Sequence, residues 1–280
     1  MTVSAGATIR YAGLDAQVLA ASHRGDGRNI TLKTVLNGRA VVVKVYGRRR
    51  GFFTTVMRWF DSRVIAGKSS DLARARCETE RSVLELWRRT GFDVPAILED
   101  ALPEAADRHS LVIECVPGVS LRDLIRGRRA EARELTVILE RFARDCRRRH
   151  DTALALKEPR LIHEHPSLRH VMVAGDRLVN LDFEVVFMGR HDIERIVSLE
   201  IAGFLRVLAK ETKKAFPRYL EAFARAYGNK ERLARVCRDV RRGTLPIFGW
   251  LITLDLRLRR RVYYNKLTVS EALAAALERM

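Results

Sequence analysis

The chain has 280 residues, 47% of them apolar, with 52 Lys and Arg against 34 Asp and Glu for a net charge of +18. Such a length carries a well-buried core in one large domain or two lobes, and the composition excludes a disordered or fibrous chain. The charge suits phosphates, acidic polysaccharides, nucleic acids or anionic lipid headgroups and says nothing about fold.

No run of the sequence reaches the ~20 apolar residues of a membrane span, and MTVSAGATIR lacks an apolar signal core, so a cytoplasmic protein is expected. Cys77, Cys115, Cys146 and Cys237 lack CxxC spacing; they are expected to be reduced core residues, not a disulfide framework or zinc site.

Residues 7 to 46 read as three strands. Ala16 to Ala21 is followed by a glycine-bearing loop containing Gly25 and Gly27, then by Ile30 to Leu36, a type I′ turn at Asn37-Gly38, and Ala40 to Tyr46. In the last strand Ala40, Val42, Lys44 and Tyr46 share a face, which puts a lysine among apolar residues. An edge-strand lysine that blocks aggregation is one explanation. Residues 47 to 69 are a basic, aromatic insertion, Arg48 to Arg50 preceding Phe52, Phe53, Met57, Trp59 and Phe60. It suits an anionic membrane surface, or its aromatics fold back into the core.

A helix is predicted from Asp71 to Thr90, with Ser70 as N-cap and Gly91 as stop. Glu80, Val83, Leu84 and Trp87 recur at i, i+3, i+4 and i+7, so Glu80 lies on the apolar stripe. A buried carboxylate without a cation is costly. Lys44 is the odd cation of the preceding strand, and one ion pair accounts for both residues. Leu111 to Cys115 is another strand, leading through Val116-Pro117-Gly118 to a short helix, Leu121 to Ile125. The break reads as a hinge between lobes. A longer helix follows from Glu131 to His150, with Leu135, Ile138, Phe142 and Cys146 inward.

The stretch His163 to Glu184 holds three histidines, a strand VMVA, a turn at Gly175-Asp176, and a second strand ending in Asp182-Phe183-Glu184. Alternation puts Leu178, Asn180, Asp182 and Glu184 on one face and Val179, Leu181, Phe183 and Val185 on the other. His163, His165 and His170 with Asp182 and Glu184 are also a candidate transition-metal cluster. Beyond this stretch the chain reads as helical: Ile193 to Leu208, then Tyr219 to Val240, then Phe248 to Tyr264 with its arginines.

In order and spacing these pieces resemble the protein-kinase-like fold, and in particular the bacterial lipopolysaccharide-kinase family that includes Kdo and heptose kinases. The pieces are Val43-Lys44-Val45-Tyr46, Glu80 to Leu84 with Val94-Pro95, Leu111 to Gly118, and His163 to Glu184. The resemblance covers residues from about Ile30 to about Leu208. It implies an α+β, two-lobed fold, with a small antiparallel-sheet lobe over 1–116 and a helical large lobe over 117–280. It also implies ATP and Mg2+ as cofactors. Lys44 would hold nucleotide phosphates, oriented by Glu80. The backbone from Glu114 to Val116 would meet the adenine, the Gly25 to Gly27 turn would cover the phosphates, and Asp182 would hold the metal.

Two positions depart from the kinase pattern. His165 stands where the catalytic aspartate is expected, and His170 where the metal-binding asparagine is expected. A neutral His170 ring nitrogen can still serve as a ligand, and His165 can accept a proton. A positioned general base is worth roughly 10²–10⁴-fold in rate. The expected activity is therefore phosphoryl transfer from ATP to a sugar hydroxyl of a lipid-linked or lipopolysaccharide acceptor, at the inner face of the cytoplasmic membrane. The alternative is a nucleotide-binding pseudokinase acting as a regulatory or scaffold module. Nucleic acid is not the expected partner, because the basic residues are spread along the chain without a recognition motif.

Overall fold

The computed structural model describes residues 6–21, 29–47, 72–98, 105–127, 131–189, 192–242 and 265–280. The readings placed on Gly25 and Gly27, on the insertion from 48 onward and on the helix at 248–264 fall outside those residues. The chain divides into two compact units, residues 1–118 with 172–190 and residues 119–171 with 191–280. The architecture is α+β, with an antiparallel sheet in the first unit and a helical second unit.

The first unit is a five-stranded meander in the order β1 (Thr8–Tyr11), β2 (Leu14–Ala21), β3 (Ile30–Leu36), β4 (Arg39–Val45) and β5 (Ser110–Glu114), every neighbour antiparallel. It has one strand more before residue 46 than the sequence reading. Strand β1 turns into β2 through Ala12 (φ 49°) and Gly13 (φ 81°). Two successive positive φ values are the I′ pattern, but alanine in place of the usual Asn or Asp hides it. The turn at Asn37 (φ 50°) and Gly38 (φ 75°) is the one expected.

Strand β4 pairs with both β3 and β5, so Lys44 lies in the sheet interior, opposite Thr31 and Leu111. That overturns the edge-lysine explanation, since no unpaired ladder is there to guard. Ala16, Val18, Leu32, Val41, Val43 and Val112 form a core cluster, which fixes the register because a one-residue slip would expose every one of them.

Helix α1 (Ala73–Arg89) buries Glu80, Val83, Leu84 and Trp87, the stripe read from the sequence, together with Cys77. It begins one residue after Leu72, which makes no side-chain cap; Ser70 and Asp71 lie outside the described residues. Past the helix end, Gly91 takes φ 82°, a value glycine adopts at little cost.

The second unit begins with a two-residue strand, β6 (Val119–Ser120), and continues through α2 (Leu121–Arg126) and α3 (Ala132–Leu156). It resumes with α4 (Ile193–Thr212), α5 (Phe216–Tyr227), α6 (Lys230–Arg242) and α7 (Lys266–Glu278). Helix α3 packs on α5, α4 on α6, and α6 on α7.

Two helix readings need correcting. Helix α3 runs six residues past His150, and Arg149 within it is buried and bonded to Glu200 at 2.7 Å. The helix read as Tyr219 to Val240 is two helices, broken where Gly228 takes φ 69°.

The hairpin of the central stretch is formed by β7 (Val171–Ala174) and β8 (Arg177–Asn180), joined through Gly175 at φ 59°. Strand β8 stops at Asn180, four residues short of the reading, which ended at Glu184. The Asn180 N–H donates to the Asp93 carbonyl (2.9 Å), and the backbone then turns through Asp182 at φ 69°. A residue in that conformation cannot continue a strand, so the alternation of faces ends before the carboxylates. Leu178, Val179 and Asn180 are accordingly all buried.

Candidate functional site

The polar centre of the first unit is built around Lys44. Its ammonium donates to both carboxylate oxygens of Glu80, at 2.8 and 2.6 Å. The Tyr46 hydroxyl, two residues along the same face of the chain, donates to one of them at 2.5 Å. The Phe183 N–H reaches the other at 3.5 Å. Glu80 is 1% exposed, so its charge is compensated by these donors and not by water. Strand β4 supplies Lys44 and helix α1 supplies Glu80, and the ion pair deduced from two misplaced charges is present.

Two more carboxylates face the same ammonium. Asp182 lies 3.8 Å from Lys44 Nζ, and Glu184 lies 3.5 Å from it. They differ in surroundings. The Asp182 side chain is 39% exposed, whereas Glu184 is half as accessible at 19%. Glu184 accepts from the Asn29 amide at 2.6 Å and from Arg76 Nη1 at 3.2 Å. Arg76 is itself buried, with its second terminal nitrogen donating to the Gly47 carbonyl at 3.0 Å.

These neighbours set the ionisation of the cluster. Burial works against the charge on Lys44, but Glu80, Asp182 and Glu184 outweigh it and hold the ammonium above the ordinary lysine range. Burial, together with the Glu80 carboxylate, pushes the Tyr46 hydroxyl up and keeps it a donor. Burial also raises the Glu184 carboxyl, against the pull of Lys44. Lys44 and Arg76 supply two positive charges against three carboxylates. Asp182 is the most open of the three carboxylates.

Asp182 to Glu184 is pinned at successive residues. Asp182 holds a φ of 69°, which is costly for a non-glycine residue. The Phe183 ring packs on Trp87 with centroids 4.6 Å apart, both rings fully buried. Glu184 is then gripped by Asn29 and Arg76.

At the end of β5 the Glu114 N–H is bonded to the Ala96 carbonyl at 2.8 Å, and its carboxylate accepts from the Ala96 N–H at 3.2 Å. Val116 follows, half-buried. A Cβ on Gly118 would come within 2.3 Å of the Val173 carbonyl oxygen, so only glycine fits there.

The histidine loop belongs to the second unit. His163 is buried, and its ring stacks on His170 at 5.6 Å between centroids. His170 Nδ1–H donates to the His165 carbonyl at 3.1 Å. The His165 side chain is open to solvent, and its Nδ1 lies 2.5 Å from the carboxylate of buried Glu164. The loop rests on α4 through Pro166, whose Cγ would lie 2.6 Å from a Cβ at Gly203. Among the described residues no group of three or more His, Cys, Asp or Glu gathers as a metal-holding cluster.

Comparisons with known proteins bear on the fold only distantly. No family profile and no curated protein matches the sequence. Among solved structures the chain is similar to WaaP in complex with acyl carrier protein. Identity is 16% and the TM-score 0.47, over 88% of this chain and 90% of that one. It is also similar to the crystal structure of a kinase domain at 11% identity and a TM-score of 0.42, over 85% of this chain and 77% of that one. The roles of individual residues rest on the geometry given above.

Four participants escaped the sequence reading: Asn29, Arg76, Tyr46 as a donor to Glu80, and Glu164 beside His165. Arg76 was detectable. It sits one turn before Glu80 on the apolar stripe, at i−4, where a second buried charge asks for a partner in the same place. Asn29 carried no such signal.

Proposed function

We propose that this protein is a nucleotide-dependent phosphotransferase of the kinase-like type. One observation carries the reading. A buried lysine is locked bidentately to a buried glutamate, and an open aspartate carboxylate lies 3.8 Å from the same ammonium. Phosphoryl transfer needs this set, a fixed cation for the nucleotide phosphates and an accessible carboxylate for the divalent ion. The donor chemistry fits Mg2+, since a hard cation takes one or two carboxylates and keeps its waters. When bound, that ion would neutralise charge on the phosphates.

In this reading Lys44 binds phosphate oxygens while Glu80 and Tyr46 hold its ammonium in place. Asp182 holds the ion. The backbone from Glu114 to Val116 meets the adenine of ATP. His165 accepts the proton of the acceptor hydroxyl, with the Glu164 carboxylate close to its Nδ1. The net charge of +18 and the resemblance to lipopolysaccharide kinases support an anionic, lipid-linked or lipopolysaccharide acceptor, reached by peripheral contact with the membrane. No helix among the described residues is long and apolar enough to cross a membrane.

A second reading, a nucleotide-binding pseudokinase with a regulatory role, is favoured by His165 itself. Its place beside Glu164 makes an ion pair of a protonated ring, which can then no longer act as a base. The experiment that tests both is ATP turnover with purified lipid acceptor, comparing wild type with Asp182→Ala and His165→Asp. Transfer lost in Asp182→Ala is the expected result. Transfer untouched by that change refutes the enzyme reading. An inert wild type that binds ATP and gains activity as His165→Asp establishes the pseudokinase.

A further inference from the structure

Glu184 needs an explanation that Lys44, Glu80 and Asp182 do not supply. It sits two residues beyond Asp182, it is mostly buried, and its charge is matched by an arginine on another element. We infer that Glu184 is a positioning residue, a clasp that fixes the open Asp182 carboxylate and the Lys44 ammonium relative to each other. This rests on the phosphotransferase reading above.

The geometry shows how the clasp works. One carboxylate oxygen lies 3.5 Å from Lys44 on β4. The other accepts from Asn29, directly before β3, and from Arg76 on α1. Arg76 carries the link onward to the Gly47 carbonyl just past the end of β4. One side chain thus ties the segment after β8 to two strands and a helix. Asp182 has no comparable burial, and its backbone is in a disfavoured conformation. A residue so placed is held from its neighbours. Phe183 holds it on one side through Trp87 and the N–H directed at Glu80, and Glu184 is what fixes the chain two residues on.

Stability alone does not account for this arrangement. The Nε of Arg76 and the Oδ1 of Asn29 are buried without a hydrogen-bond partner among the described residues. Each such atom costs stability, and a buried ion pair is often replaceable by apolar side chains at no loss. A structure that keeps the pair and two unsatisfied atoms has retained it for placement. The charge balance also argues against Glu184 as a metal ligand, because Arg76 already neutralises it.

The test separates placement from stability. Binding of ATP in the presence of Mg2+ is measured by calorimetry, beside thermal unfolding, for wild type, Glu184→Gln, the double variant Arg76→Met/Glu184→Met, and Asp182→Asn. The expected result is that the double variant unfolds within a few degrees of wild type but binds MgATP at least tenfold more weakly. Glu184→Gln, which keeps the shape and loses the charge, weakens binding in the same direction. Wild-type affinity in either variant overturns the inference while leaving the phosphotransferase reading intact. A wild type that does not bind MgATP, or an Asp182→Asn that binds as wild type does, overturns the parent reading and the clasp with it. Should the double variant fail to fold, Glu184→Gln decides alone.

Discussion

Replacing Lys44 with methionine is the sharpest test of the polar centre. The change keeps the length of the side chain and removes the ammonium that donates to both oxygens of Glu80. Glu80, 1% exposed, would retain the Tyr46 hydroxyl at 2.5 Å and the Phe183 N–H at 3.5 Å. Neither is a cation. Removing one partner of a buried ion pair costs about 3–5 kcal/mol, since the other charge is left in the interior. The short Tyr46 bond survives, so the lower end, about 3 kcal/mol, is expected. At roughly 2–4 °C per kcal/mol for a chain of this size class, that is a fall of roughly 6–12 °C in unfolding midpoint.

The companion Lys44→Met/Glu80→Gln removes both charges while leaving a carbonyl oxygen for Tyr46. It should recover most of the loss, to within about 1–2 kcal/mol of wild type. Urea unfolding of the four proteins in the cycle measures this directly. If Lys44→Met loses less than about 1 kcal/mol, or the double variant is no more stable than the single, the carboxylate is solvated or protonated and the reasoning fails. In both variants nucleotide binding is expected to be lost, because the phosphate-binding cation is gone.

Two further outcomes follow from the second unit. The Glu200 carboxylate accepts from Arg149 and His150, and although burial alone would raise it, these partners bring it from 4.5 down to about 2. Burial lowers His150, whose Nε2–H donates to Glu200 and whose Nδ1 accepts from Tyr227. Both groups disfavour the proton in the folded state. The stability they contribute is present above their unfolded values, and it declines as pH falls below about 6.5 for His150 and from about 4.5 toward 2 for Glu200. For Glu200 the loss is on the order of 3 kcal/mol. Denaturant titrations between pH 7 and 3 should show this slope in wild type and a shallower one in Glu200→Gln. An equal slope in both removes Glu200 from the account. Gly203→Ala gains about 1 kcal/mol of helix propensity but places a methyl 2.6 Å from Pro166 Cγ. Overpacking of that kind costs about 1–3 kcal/mol, so a net loss is expected, with displaced His165 and His170 resonances by NMR. A more stable variant with an unmoved loop refutes the contact.

The pairing of Lys44 with Glu80 was legible because two independent periodicities, of two in a strand and 3.6 in a helix, each flagged a charge on an apolar face. The hairpin at Gly175 and the turn at Asn37-Gly38 were legible from turn chemistry. Strand β1 was not, since its turn carries Ala12 where the pattern asks for Asn or Asp. The end of β8 was not, because it depends on a positive φ at Asp182 beside Phe183, which packs on Trp87, a residue far off in sequence. The split of α5 from α6 was written in Gly228-Asn229, although the stretch from Tyr219 to Val240 was read as one helix. Arg149 shows the opposite limit. Nothing in the run Arg147 to Arg149 marks the middle or the end of it as buried; only tertiary structure, by supplying Glu200, turns Arg149 inward.

The composition of the first unit from two separate stretches of chain carries a consequence for how the protein is made. Its sheet and α1 are complete by residue 118, yet Phe183, which covers Trp87, and Glu184, which meets Lys44 and Arg76, arrive more than sixty residues later. During synthesis the ribosome therefore delivers the whole meander with an open aromatic surface and a partly matched cluster of charges. Local strand pairings form early and cheaply, whereas the closing contacts wait for the chain to return. Until residues 172–190 emerge, the nascent sheet lacks these closing contacts, and the same contacts that arrange Asp182 are the last to complete the unit.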